Sequence, residues 1–138
     1  MMKIVSACLA GIKCRWDGDS RPCEKVITLF RQGKAIPVCP EQLGGLTTPR
    51  IPAEQKGRKF FTKDGRDVTP EFEKGAEEAL KIAKLAGCKE AILKSKSPSC
   101  GSGKVYDGTF SDKLVNGDGI FAKLLKKNNI NVLNENEI

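Results

Sequence analysis

The chain has 138 residues, 39% hydrophobic and 30% charged, an ordinary composition for a single globular domain, 1–138, with its own core. No run is long and apolar enough to span a membrane, and "MMKIVSACLAGIKC" reads as a first strand rather than a signal peptide, so a cytoplasmic location is expected. The net charge of +7 would suit an anionic small molecule or RNA, but the basic residues are scattered and no RNA-binding signature accompanies them.

Two counts narrow the chemistry further. There is no histidine, which excludes Ser-His-Asp and Cys-His catalysis within the chain and removes the commonest nitrogen ligand for metals. There are six cysteines, at 8, 14, 23, 39, 88 and 100. A cytosolic chain of this size neither needs nor keeps a disulfide framework. Any metal must be held by thiolates and oxygen.

In chain order, "KIVSAC" (3–8) is β-branched and alternating, and predicts a strand ending near Cys8. Residues 9–22 read as a loop, marked by Gly11, Asp17-Gly18 and Pro22. Apolar spacing and Gly33 predict a helix over 24–33. "AIPVC" (35–39) is a short strand, which Pro37 makes irregular or places near an edge. A Gly/Pro loop follows over 40–57, then a small hairpin over 59–68 around Asp64-Gly65. Thr69 as N-cap and Pro70 at the first position open a helix over 70–87, closed by Gly87. "EAILK" (90–94) is a third strand, 95–119 a Gly/Ser loop, 120–128 a helix and 130–133 a last strand.

Strands alternating with helices predict an α/β three-layer sandwich, Rossmann-like, on a mostly parallel sheet of about four strands. Ligands of such sheets bind beyond the carboxyl ends of the strands. Cys8 ends the first strand, Cys39 ends the second, and Cys100 lies in the loop after the third. Cys100 sits in "KSKSPSCGSGK", which offers no conventional core to bury it. Three distant cysteines therefore converge on one edge of the sheet. The trio suits a zinc site, a redox or nucleophilic thiol, or an iron–sulfur cluster held by three thiolates with one iron left open. No C-x-x-C pair supports the first two. "GSGK" fails as a phosphate loop, because Pro98 and Val105 stand where Gly and Ser/Thr are required.

"SACLAGIKCRWDG" (6–18), "PVCPEQLGGLTTPR" (37–50), "DVTPEFEKGA" (67–76), "ILKSKSPSCGSGKVYDGTF" (92–110) and "NGDGIFAKLL" (116–125) together resemble the bacterial thiouracil desulfidase family, in its short form, over nearly the whole chain. The resemblance implies a 4Fe–4S cluster bound by Cys8, Cys39 and Cys100. It also implies removal of sulfur, without net redox chemistry, from 2-thiouracil-like bases or a related small thio-compound. Water activation and ring reprotonation need an acid or base, for which Glu41 is the first candidate and Ser99 the second. Arg50 and Lys94 are candidates for binding an anionic substrate or neutralising cluster charge. Cys14 is a candidate fourth ligand, Cys23 and Cys88 are expected to be small buried residues, and "CRWDG" and "VYDGTF" to be paired walls of the site. The competing reading is a non-catalytic metal- or cluster-binding module, or an RNA-associated one. An aerobic preparation is expected to lose the cluster or exchange it for another metal.

Overall fold

The computed structural model describes residues 1–138. Along the chain run β1 (Lys3–Ser6), a 3-10 turn (Ala7–Ala10), α1 (Glu24–Arg31), β2 (Ala35–Val38), α2 (Pro40–Leu43), β3 (Ala53–Lys56), β4 (Lys59–Thr62), α3 (Thr69–Leu85), β5 (Glu90–Leu93), β6 (Lys104–Tyr106), β7 (Leu114–Asn116), α4 (Ile120–Lys127) and β8 (Asn131–Asn134). β1, β2, β5 and β8 form one all-parallel sheet of four strands in the order β2-β1-β5-β8. This is the predicted α/β architecture, and Pro37 lies on an edge strand, where its missing N–H does least harm.

Alternation along the strands builds the layers. On one face Ile4, Ala91 and Leu93 pack with Ala76, Ala79 and Ala83 of α3 and Phe121 and Leu125 of α4. On the other, Val5 and Ile92 pack with Val26 and Leu29 of α1. The chain leaves β1 to one side and later returns past it to β5 on the other. That reversal makes the carboxyl end of β1 the switch point where such sheets bind ligands.

Several elements depart from expectation. β1 stops at Ser6, and Cys8 lies in the following 3-10 turn, which Gly11 ends at φ +91°. The loop over 40–57 contains α2 and β3, and β3 pairs antiparallel with β4 across a turn at Gly57. The Asp64-Gly65 turn also forms, but its outer arm contributes only a single bridge, Phe61 to Asp67. The loop over 95–119 contains the β6–β7 hairpin. Thr69 is not the N-cap of α3. It is the first helical residue, its amide donates to the Asp67 carboxylate at 2.9 Å, and its hydroxyl accepts from the Phe60 amide at 2.9 Å.

Glycine sets where α2 lies. A Cβ on Gly75 would stand 1.8 Å from the Pro40 carbonyl oxygen, and one on Gly44 would stand 1.9 Å from that of Glu71. α2 and α3 therefore meet backbone to backbone, and this contact fixes Cys39 and Glu41 at the sheet edge.

Candidate active site

A cavity of about 490 Å³ opens beyond the carboxyl ends of β1, β2 and β5. Cys8, Cys14, Cys39 and Cys100 all line it, as do Glu41, Arg50, Lys94 and Ser99. Cys23 is half-buried at the start of α1, and Cys88 is buried in the core after α3.

The Cys100 loop is built into the start of α4. The first amides of that helix, which lack partners within it, donate instead to the loop. Ile120 N–H donates to the Pro98 carbonyl at 3.1 Å, Phe121 N–H to that of Ser99 at 2.8 Å, and Gly119 N–H to that of Gly101 at 2.7 Å. The Ser97 hydroxyl accepts from the Ser99 and Cys100 amides at 3.2 and 3.0 Å. Gly119 has no room for a side chain, since a Cβ there would lie 2.5 Å from the Ser99 carbonyl carbon. Ser6, at the end of β1, accepts from the Lys94 amide at 2.9 Å and hydrogen-bonds the Cys100 thiol.

With no metal bound, Cys14, Cys39 and Cys100 hold their protons. Burial pushes Cys100 up to about 12 against the hydrogen bonds from Ser6 and Ser99. The contact with Cys14, followed by burial, drives Cys39 far above the ordinary thiol range. At Cys14 the Cys39 partner pulls downward, but contact with Cys8 and burial outweigh it, and the pKa rises to about 11. Neutral thiols of this kind become thiolates when a metal supplies compensating charge. No three Cys, Asp or Glu side chains come close enough to share one metal ion. Cys8, Cys39 and Cys100 instead border a common volume. Iron–sulfur clusters take thiolate ligands from distant parts of a chain, whereas structural zinc takes four ligands in closely spaced pairs, and no C-x-x-C pair or histidine is present. The donor set fits a cluster of this type.

Facing the thiols is a polar wall. Glu41 Oε1 accepts from Arg50 Nε at 3.1 Å, and its Oε2 accepts from the Ser99 hydroxyl at 3.0 Å. Ser99 Oγ also lies 3.1 Å from Ser97 Oγ and 3.8 Å from Cys100 Sγ, and Ser99 is 2% exposed. Arg50, 8% exposed at its side chain, also donates to the carbonyls of Cys14 and Thr47 and to the Thr48 hydroxyl. Lys94 turns to Glu135, Nζ to Oε2 at 2.9 Å, and Glu135 also accepts from the Ser95 amide and hydroxyl at 2.8 and 2.9 Å. Ser6, Ser97 and Glu135 thus belong to the site's framework. Ser6 stands out only in retrospect, as the one polar residue of a buried strand end, and nothing in "NENEI" singles out Glu135.

The fold and site define an α/β protein with a sulfur-lined cavity at the carboxyl edge of its sheet. Residues 4–137 match the 2-thiouracil desulfurase family, and the chain belongs to that family. It is 44% identical to the uncharacterised protein YbbK of Bacillus subtilis (strain 168), over 99% of this chain and 97% of that one. Among solved structures it is similar to one described as a 4Fe–4S-dependent thiouracil desulfidase, TudS, at 43% identity and a TM-score of 0.95, over 99% of this chain and 92% of that one.

Proposed function

We propose that this protein is an iron–sulfur-dependent desulfidase that replaces the sulfur of a 2-thiouracil-like base by oxygen. Family membership and the likeness to TudS support the activity and its 4Fe–4S cofactor. The observation that carries the reading in this chain is the meeting, in one cavity, of Cys8, Cys39 and Cys100 with a carboxylate clamped by Arg50 and Ser99. Six unpaired thiols suit a cytoplasmic location.

Cys8, Cys39 and Cys100 are the residues we assign to hold the cluster. When bound, it supplies an iron without a protein ligand, a Lewis acid for the thiocarbonyl sulfur. Glu41 acts as the base: it takes a proton from water as the water oxygen bonds to the thiocarbonyl carbon, and returns that proton to the products. The carbon–sulfur bond breaks and sulfur leaves as sulfide. A thiocarbonyl and one water thus become a carbonyl and one hydrogen sulfide, with no electron acceptor. Ser99 orients the carboxylate and can pass a proton between Ser97 and Glu41. We assign Arg50, four of whose five donors are engaged within the protein, to positioning Glu41, and Lys94 with Glu135 to holding the start of the Cys100 loop.

Sulfide release from 2-thiouracil by the reconstituted protein tests the reading. Glu41→Gln should lower kcat by roughly 100-fold or more, the range of a lost general base, while iron content stays unchanged. An active Glu41→Gln variant would refute the assignment of Glu41. An inactive, fully loaded wild type would refute the activity.

A further inference from the structure

The loop over 107–113, between β6 and β7, is held in an uncommon shape. Phe110 has φ +57° and Asp112 φ +61°, left-handed conformations that residues with a side chain seldom adopt, least of all a bulky one. Both residues line the sulfur-walled cavity. Backbone strain of this kind persists only where surrounding contacts over-determine it. Here they do. Glu54 Oε1, on β3, accepts from the Gly108 amide at 3.0 Å and from the Phe110 amide at 3.1 Å. Glu54 forms no ion pair, so its carboxylate is matched by the amides of this loop. Gly108 lies flat against β3, where a Cβ would stand 2.8 Å from the Gln55 carbonyl oxygen. The Asp107 carboxylate accepts from the Thr109 amide at 2.9 Å and from its hydroxyl at 2.6 Å.

The Asp107 amide also donates to the Lys113 carbonyl at 3.0 Å, so the loop is closed at its base and held at the amide of Phe110 itself. Around the thiols and the Glu41–Arg50 pair, Phe110 adds an aromatic ring to the cavity lining. The chain's only Trp, Trp16, and its only Tyr, Tyr106, also border the cavity. Trp16, however, is 44% exposed, and its backbone is not held in a left-handed conformation. Phe110 is the aromatic residue the loop is built to present.

We propose that Phe110 is a specificity-determining residue, the wall on which the heterocyclic ring of the substrate stacks. Glu54 is the positioning residue that holds it there. This rests on the reading of the site as one for a thiolated base. Stacking on an aromatic face recognises any flat ring, so it selects for heterocycles over open-chain thio-compounds and leaves the choice of reacting atom to the thiol-lined part of the cavity.

The test is the steady-state kinetics of sulfide release from 2-thiouracil by reconstituted wild type and variants of equal iron content. Phe110→Ala and Phe110→Leu should raise KM about tenfold with kcat changed by less than about threefold, and Phe110→Tyr should restore KM. Glu54→Ala should raise KM by a smaller factor, and Glu54→Gln, which keeps a carbonyl acceptor, should recover part of it. A ring needed only for folding would show the opposite pattern, with Phe110→Leu retaining the wild-type KM or kcat and active fraction falling together. Either result overturns the proposal even where Phe110→Ala does not fold. A loaded wild type that releases no sulfide from 2-thiouracil overturns the functional reading itself. An active wild type with an unmoved KM in Phe110→Leu overturns only the stacking.

Discussion

On the α3–α4 face of the sheet, 14 buried residues form one cluster whose largest members, Phe121, Ile4, Leu93 and Leu125, are fully enclosed. On the α1 face the cluster has 8, and two of them, Cys8 and Cys14, are thiols that also line the cavity. The first face is filled with carbon and carries most of the buried volume. The second thins toward the carboxyl edge, where sulfur takes the place of larger apolar groups. Cys100 joins the two, packed in the larger cluster but opening on the cavity. The contrast suggests that stability and chemistry are largely separable here, because the carbon-rich face holds the strands while the sulfur-rich edge holds the reactants.

Substitutions on either side should damage the molecule in different ways. The largest effect belongs to the sulfur edge. Cys39→Ala should reduce sulfide release to background and abolish stable iron uptake, while its thermal midpoint before iron loading stays close to wild type, since Cys39 is only half-buried. A variant that loses its fold along with its iron would show that the edge supports the core after all. Next comes the carbon face. Phe121→Ala removes a fully buried ring and should cost about 3–5 kcal/mol in denaturant unfolding. At denaturant-free equilibrium its folded fraction should still take up iron through all three ligands. The smallest effect lies where the two regions meet. Burial pushes the Glu135 carboxyl up, but Lys94 and the Ser95 amide outweigh it and hold it below the usual 4.5. A depressed folded pKa stabilises above that usual value, and the contribution fades as pH falls through the folded one. Melting curves should therefore show wild type ahead of Glu135→Gln near neutrality, with the gap closing below about pH 4.5. A gap independent of pH would rule out the ionic role of Glu135.

The parallel sheet was legible because period-2 and period-3.6 patterns alternate strongly, and the meeting of Cys8, Cys39 and Cys100 at one cavity was legible because each follows a strand. What escaped were contacts made across the chain. α2 and β3 hide in a Gly/Pro-rich stretch, where Gly44 and Gly75 matter for the room they leave to another backbone. Thr69 looked like a cap in isolation, but Asp67 reaches its amide first. The Glu54 clamp spans 54 and 56 residues to the amides of Gly108 and Phe110, and no local pattern announces a carboxylate paired with amides so far away. Arg50 and Lys94 stood out as cations near the site, yet their partners, Glu41 and Glu135, are fixed only by the folded chain.

Everything proposed for the cavity depends on Cys8, Cys39 and Cys100 holding a cluster rather than a single ion. Anaerobic reconstitution with iron and sulfide, followed by counting both per chain, separates the two cases. About four irons and about four acid-labile sulfides per chain are expected, retained in Cys14→Ala and lost in a Cys8→Ala, Cys39→Ala, Cys100→Ala triple variant. One tightly held zinc per chain, with no iron uptake under the same conditions, would refute the three-thiolate cluster.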